Sequence, residues 1–207
     1  RDTDGALAYF AMARAESDTG AHEAALNHLK SAASRLPEIA DYLAFIQGST
    51  EYRAKDYENA AKTLGKLGRD PGTSPLRPDA AVLAANALLQ LGDADGVIRL
   101  LRSPGLKALQ PQFDFLLGKA YMVRGDAALA APYLQRVAYR YPQRPEAPDA
   151  QILLDQAKGS LGAAYPPPTA ADLLGRAEAL RANRRYDDAR AAFEAVIPQL
   201  MGDDRER

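Results

Sequence analysis

Residues 111–142 read PQFDFLLGKAYMVRGDAALAAPYLQRVAYRYP, and this stretch decides the fold. Leu117-Gly118 and Tyr121 share one side of a helix, at spacings of four and three. Gly125 stands where a left-handed residue ends a helix at little cost. Ala130, Leu134 and Val137 repeat the helical spacing, and Pro142 stops the second helix. The unit is a helix, a turn and a helix, and its key positions recur along the chain. Small residues stand at Ala25, Ala60, Val97, Ala130 and Ala189, at intervals of 35, 37, 33 and 59 residues. Four residues after each comes a large apolar one: Leu29, Leu64, Leu101, Leu134 and Phe193. Twelve before each comes another small one: Ala13, Gly48, Ala85, Gly118 and Ala177. Alanine is common here, so the large positions carry the argument.

This register resembles the tetratricopeptide repeat family, whose roughly 34-residue unit is a helical hairpin with small residues where helices approach closely. The first copy has Tyr9, Met12-Ala13, Gly20, Ala25, Leu29, Ala32 and Pro37. The second has Gly48, Tyr57, Ala60 and Leu64 and closes near Pro71. The third keeps Ala85, Gly92 and Leu101, with Pro104 shortening its second helix. The fifth has Ala177, Tyr186, Ala189 and Phe193. The expected fold is all-α: a right-handed superhelical solenoid of about five helix–turn–helix repeats plus one extra helix. The spacing predicts that Gly118 and Ala130 face each other where the helices come closest.

The longest interval leaves room for that extra helix, from about Glu146 to Leu161, expected as a plain connector. Tyr165-Pro166-Pro167-Pro168 then imposes an extended segment. Residues 1–162 therefore read as repeats one to four with the connecting helix, and residues 163–207 as the proline-rich link and a last hairpin. The chain opens at Arg1 without Met, which fits a removed signal peptide. The charged tail from Gly202 to Arg207 reads as a truncation point.

Composition narrows the function. Lys plus Arg number 26 against 27 Asp plus Glu, a net charge of −1, which argues against a nucleic-acid partner. The absence of cysteine removes disulfides, thiolate catalysis and cysteine-ligated metals. No apolar run approaches the roughly 18 residues of a membrane span. The two histidines, His22 and His28, stand six apart and point to different helix faces, so no metal pair forms. His22 shares the repeat position of Tyr57 and Tyr186 and is expected to pack. Gly65, Gly68 and Gly72 lack the Lys-Ser/Thr of a phosphate loop and read as a turn. The acidic pairs Asp93/Asp95 and Asp187-Asp188 fall at helix starts, where the dipole favours them. No catalytic, cofactor-binding or metal-ligating residue is legible, and no cofactor is expected.

The first helices offer a candidate groove. One offset reads Phe10, Phe45, Val82, Phe115 and Leu174, apolar throughout; the next turn reads Arg14, Ser49, Asn86, Lys119 and Glu178, polar throughout. Tyr42 and Tyr52 add aromatic surface. Phe10, Arg14, Tyr42, Phe45, Tyr52, Asn86, Phe115 and Lys119 are thus the candidates for holding a peptide or another domain. A row that only packs between helices would show the same pattern. Of the family's carboxylate clamp, Asn86 and Lys119 are a fragment.

The C-terminal half carries a second resemblance. Leu134-Gln135-Arg136-Val137-Ala138-Tyr139-Arg140-Tyr141-Pro142 precedes Pro145-Glu146-Ala147, then Tyr165-Pro166-Pro167-Pro168-Thr169. Arg176-Ala177-Glu178-Ala179-Leu180, Arg185-Tyr186-Asp187-Asp188-Ala189-Arg190 and Ile197-Pro198-Gln199-Leu200 follow. This order is similar to the N-terminal helical region of soluble lytic murein transglycosylases, from roughly Asp41 onward. The resemblance implies a periplasmic or cell-envelope arm, itself non-catalytic, that supports a C-terminal domain cleaving peptidoglycan and contacts partner proteins or glycan strands. That domain's Glu-Ser pair and Gly-Leu-Met-Gln-like stretch are absent, so no catalytic residue carries over. Arg136, Arg140, Arg144, Arg181, Arg184 and Arg185 are the candidates for contacting an anionic strand, or form a solvated face. The alternative is a free-standing adaptor, with a cytoplasmic location also open.

Overall fold

The computed structural model describes residues 3–70, 72, 74–106 and 109–203; the start at Arg1, the closure at Pro71 and the tail from Asp204 lie outside them. Among the described residues the chain is all-α, with eleven α-helices, two 3-10 turns and no strand. The helices are α1 (Thr3–Thr19), α2 (His22–Ala33), α3 (Ala40–Arg53), α4 (Tyr57–Arg69), α5 (Arg77–Gln90) and α6 (Ala94–Leu101). They continue as α7 (Gln112–Val123), α8 (Ala127–Arg140), α9 (Ala147–Leu161), α10 (Ala170–Ala182) and α11 (Tyr186–Asp203). Ten of them pair as five hairpins, and α9 is the extra helix. The contacts divide the chain into two compact units: residues 1–109 hold three hairpins, and residues 110–207 hold α7/α8, α9 and α10/α11. The 162/163 division drawn from the sequence follows the repeat pattern instead.

All five turns share one geometry. A residue with positive φ stands five positions before each small repeat residue: Gly20, Lys55, Gly92, Gly125 and Arg184, with φ of 87°, 63°, 73°, 86° and 60°. The next amide in each case donates back across the turn, as Asp56 N–H does to the Glu51 carbonyl and Asp126 N–H to that of Tyr121, both at 2.9 Å. These bonds satisfy carbonyls that a helix end otherwise leaves open. Glycine marks three of the turns in sequence; Lys55 and Arg184 hold a side chain in a conformation costing about 1 kcal/mol. Lys55→Gly is therefore expected to raise stability by about 0.5–1 kcal/mol, seen as a higher urea midpoint. A lower midpoint would mean that glycine's gain in unfolded-chain entropy outweighs the relieved strain.

Two of the second helices, α4 and α6, start on side-chain caps. Asp56 accepts from the Asn59 amide and Asp93 from that of Gly96, while α10 opens on a reciprocal Thr169/Asp172 capping box. Helix α6 has only eight residues and ends ahead of Pro104, as expected.

Every small repeat position is buried, as are Leu29, Leu64, Leu101 and Leu134; Phe193 is half-buried. The partner of Gly118 is not Ala130, however. A Cβ built on Gly118 would lie 2.5 Å from Leu134 Cδ2 and 2.6 Å from its Cγ, and one on Gly48 would overlap Leu64. In both hairpins the small residue receives the large one sixteen positions later, because antiparallel helices bring those two positions level. Gly65 and Gly68 lie inside α4 rather than in a turn. There Gly68 lets α5 approach, since a Cβ on it would stand 3.2 Å from Ala81 Cα. Tyr186, expected to pack, is 65% exposed, while His22 is half-buried.

Helix α9 is more than a connector. It packs on α8 and to a lesser extent on α7, as α5 packs on α4 and α3, so it takes the place of a next repeat's first helix. The last hairpin also docks on α8, through α10. Between them the proline segment is held by Gln135, which is 1% exposed and donates from Nε2 to the Pro166 carbonyl (2.9 Å) and Tyr165 Oη (3.2 Å). A buried amide with satisfied donors fixes that extended path.

Candidate functional site

The apolar row of the first helices is half-buried at every step: Phe10, Phe45, Val82, Phe115 and Leu174. In the first unit it joins α1 to α3. The Phe10 and Tyr42 rings meet edge to face, with centroids 5.7 Å apart. One turn on, Arg14, Phe45 and Ser49 border a small cavity of about 120 Å³ that Asp18 and Arg53 also line. Arg53 Nη1 donates to Asp18 Oδ1 at 2.9 Å and to Ser17 Oγ at 3.0 Å, and the buried Ser17 and Thr50 hydroxyls share a hydrogen bond of 2.9 Å. Asp18 and Arg53 were missed in the sequence, yet they are the next turn of the row, four residues beyond Arg14 and Ser49.

The remaining candidates sit apart. Tyr52 packs inside its own hairpin, edge to face on Tyr57 at 5.4 Å, and burial with Tyr57 alongside pushes its phenol pKa up. Asn86 donates its amide to the Val82 carbonyl of its own helix, and Ser49 donates its hydroxyl to that of Phe45. Phe115 and Lys119 lie in the second unit, where the Lys119 ammonium stands over the Phe115 ring, 5.4 Å from its centroid. The structure thus brings together Phe10, Arg14, Tyr42 and Phe45.

Of the six arginines considered for an anionic strand, Arg136 and Arg140 answer buried carboxylates, and Arg185 makes an exposed pair. Arg136 makes a two-point pair with the buried Asp114 at 3.0 and 2.7 Å, and that carboxylate raises the pKa of the guanidinium further. Arg140 Nε bonds the buried Asp172 at 2.7 Å, and Arg185 pairs with Asp188 at 2.8 Å. His28 Nδ1 contacts Glu16 at 2.7 Å and its ring stacks on Tyr9. Among the described residues no three His, Asp or Glu side chains gather as a metal site. No described helix is long and apolar enough to cross a membrane.

A family model described as a tetratricopeptide repeat matches residues 97–148, from within α6 to the first residues of α9. That match supports a tetratricopeptide-repeat family for this chain, in agreement with the hairpins. No curated protein and no solved structure matches it.

Proposed function

We propose that this chain is a non-catalytic helical-repeat scaffold that holds a protein partner on the exposed side of its first helices. The observation that carries this is the half-buried row through Phe10, Tyr42 and Phe45, flanked by Arg14 and the Asp18–Arg53 pair. Aromatic surface that is neither fully buried nor scattered, beside a charged rim, is what a peptide or domain interface uses. On the resemblance of the C-terminal half, we propose further that the partner is a lytic transglycosylase domain on the same polypeptide, in the bacterial periplasm. The engagement of Arg136 and Arg140 by buried carboxylates favours a protein contact over a glycan strand as the arm's role.

The test is to read the coding sequence downstream of residue 207, then to incubate the full product and the 207-residue chain separately with purified peptidoglycan. Anhydro-muropeptides from the longer protein alone are the expected result. A reading frame without a lysozyme-like domain removes the transglycosylase proposal and leaves the free-standing adaptor. Release by the 207-residue chain itself overturns the non-catalytic assignment.

A further inference from the structure

A second cleft lies on the first unit, on the side of α3 turned away from the aromatic row. Ala44, Gln47 and Glu51 mark that side of the helix, about half a turn from Tyr42, Phe45 and Ser49. The cleft runs between α3 and α4 and encloses about 540 Å³, within the size range of ligand sites. Ala40, Ala44 and Leu67 give it apolar walls, and Lys62, Lys66 and Glu51 bring charge.

Glu51 is the group that the fold does not account for. It is only 5% exposed, and its Oε1 accepts one hydrogen bond, from Gln47 Nε2 at 2.8 Å. Its Oε2 is buried with no hydrogen-bond partner among the described residues. A carboxylate held out of water with half its acceptors empty is costly, the more so in the last turn of a helix, where the dipole opposes negative charge. The other carboxylates of the cleft differ. Asp41 accepts from the Ser74 hydroxyl and the Tyr42 amide, the former holding its pKa below the ordinary value, and Asp70 accepts from the Gly72 amide. Lys62 and Lys66, one turn apart on α4, are exposed and make no ion pair among the described residues, although like charges at that spacing oppose each other.

We infer that the α3/α4 cleft is a binding site for an extended peptide segment, with an arginine on Glu51 and an acidic side chain on Lys62 and Lys66. Gln47 is exposed, so its amide can swing off Glu51 and yield both oxygens to a planar guanidinium, which supplies two parallel donors. The cleft spans twelve residues of α3 from Ala40 to Glu51, about 16 Å, enough for roughly five extended residues. Because Glu51 faces one end and Lys66 lies two turns along α4 from that end, the arginine precedes or follows the acid by about three residues. The site is independent of the aromatic row, so either proposal can fail without the other.

The experiment titrates the isotope-labelled 207-residue chain with the blocked hexapeptide acetyl-Ala-Arg-Ala-Ala-Glu-Ala-amide and follows backbone amide shifts. Saturable shifts confined to residues 40–51 and 59–70 are expected. Affinity is expected to fall at least about tenfold when glutamine replaces the peptide arginine, and equally in the Glu51→Gln protein. Lys62→Ala/Lys66→Ala, exposed and harmless to the fold, is expected to weaken the hexapeptide severalfold but not a version with glutamine for glutamate. The Tm of Glu51→Gln is expected to equal or exceed that of the parent, because the unpartnered charge is gone. A fall of more than about 4 °C would assign Glu51 to the fold and overturn the proposal. So would undiminished binding by Glu51→Gln, the absence of shifts, or shifts centred on Phe10 and Phe45.

Discussion

Gly118→Leu is expected to destabilise the second unit by about 3 kcal/mol, read as a fall in the urea midpoint with little change in slope. A single Cβ at this position already lies 2.5 Å from Leu134 Cδ2, and Leu134 is fully buried, so it has no solvent to retreat into. The remaining atoms of an added leucine must push α7 and α8 apart and strip contacts from the core between them. The gain in helix propensity over glycine, about 0.8–1 kcal/mol, offsets only part of this. Leu134→Ala alone is expected to cost about 2–5 kcal/mol by leaving a cavity. The double variant Gly118→Leu/Leu134→Ala is expected to cost less than the sum by at least about 1 kcal/mol, because each change fills the space the other disturbs. Lys119→Ala, one residue along, serves as the control. Its ammonium lies over Phe115 but is otherwise at the surface, so less than about 0.5 kcal/mol is expected. An unchanged midpoint for Gly118→Leu, or strict additivity in the double variant, would show that the two positions are not level.

The second large effect is expected at Asp172. Its Oδ2 accepts from the Thr169 backbone amide and hydroxyl, completing the cap of α10, and its Oδ1 accepts from Arg140 Nε of α8 at 2.7 Å. The carboxylate is 3% exposed and Arg140 37%. Asp172→Ala removes the cap, worth about 1 kcal/mol, and the buried half of an ion pair, whose loss costs about 3–5 kcal/mol when the remaining charge stays buried. Arg140 is exposed enough to rehydrate, so a total of about 3 kcal/mol is the expectation. The effect is local. Hydrogen exchange should quicken across α10 and α11 while α7 and α8 keep their protection. Uniform loss of protection through the unit would instead mean that the last hairpin and α7/α8 unfold as one.

The repeat register was legible because it is set by side-chain volume at fixed offsets. Ala25, Ala60, Val97, Ala130 and Ala189, with the large residues four further on, are spaced by the helical period, and burial follows from that spacing alone. The turns were only partly legible. Gly20, Gly92 and Gly125 announce a left-handed residue, but Lys55 and Arg184 adopt the same conformation because the tertiary pairing of the helices demands it. The same override hid Gly65 and Gly68, which read as breakers but sit inside α4; at Gly68 the packing of α5 needs a missing side chain. Of the candidate groove, the chain order showed which residues share a helix side; that Phe10 meets Tyr42 and that Arg14 and Phe45 border one cavity rests on how α1 and α3 pack. Nor could the chain order show that Tyr52 turns to Tyr57, since that depends on how α4 closes on α3.

By itself, then, the sequence determined the all-α class, the five hairpins, the short α6 and the residues that form the core, because all of these follow from local periodicity and from volume. The tertiary structure alone decided which small residue receives which large one. It also decided that α9 and α10 both dock on α8, that Arg136 and Arg140 answer buried carboxylates, and that Glu51 is closed from water with an empty acceptor. Those outcomes depend on the rotation and axial offset of one helix against another, and many sequences of the same periodicity share the first kind of information without sharing the second.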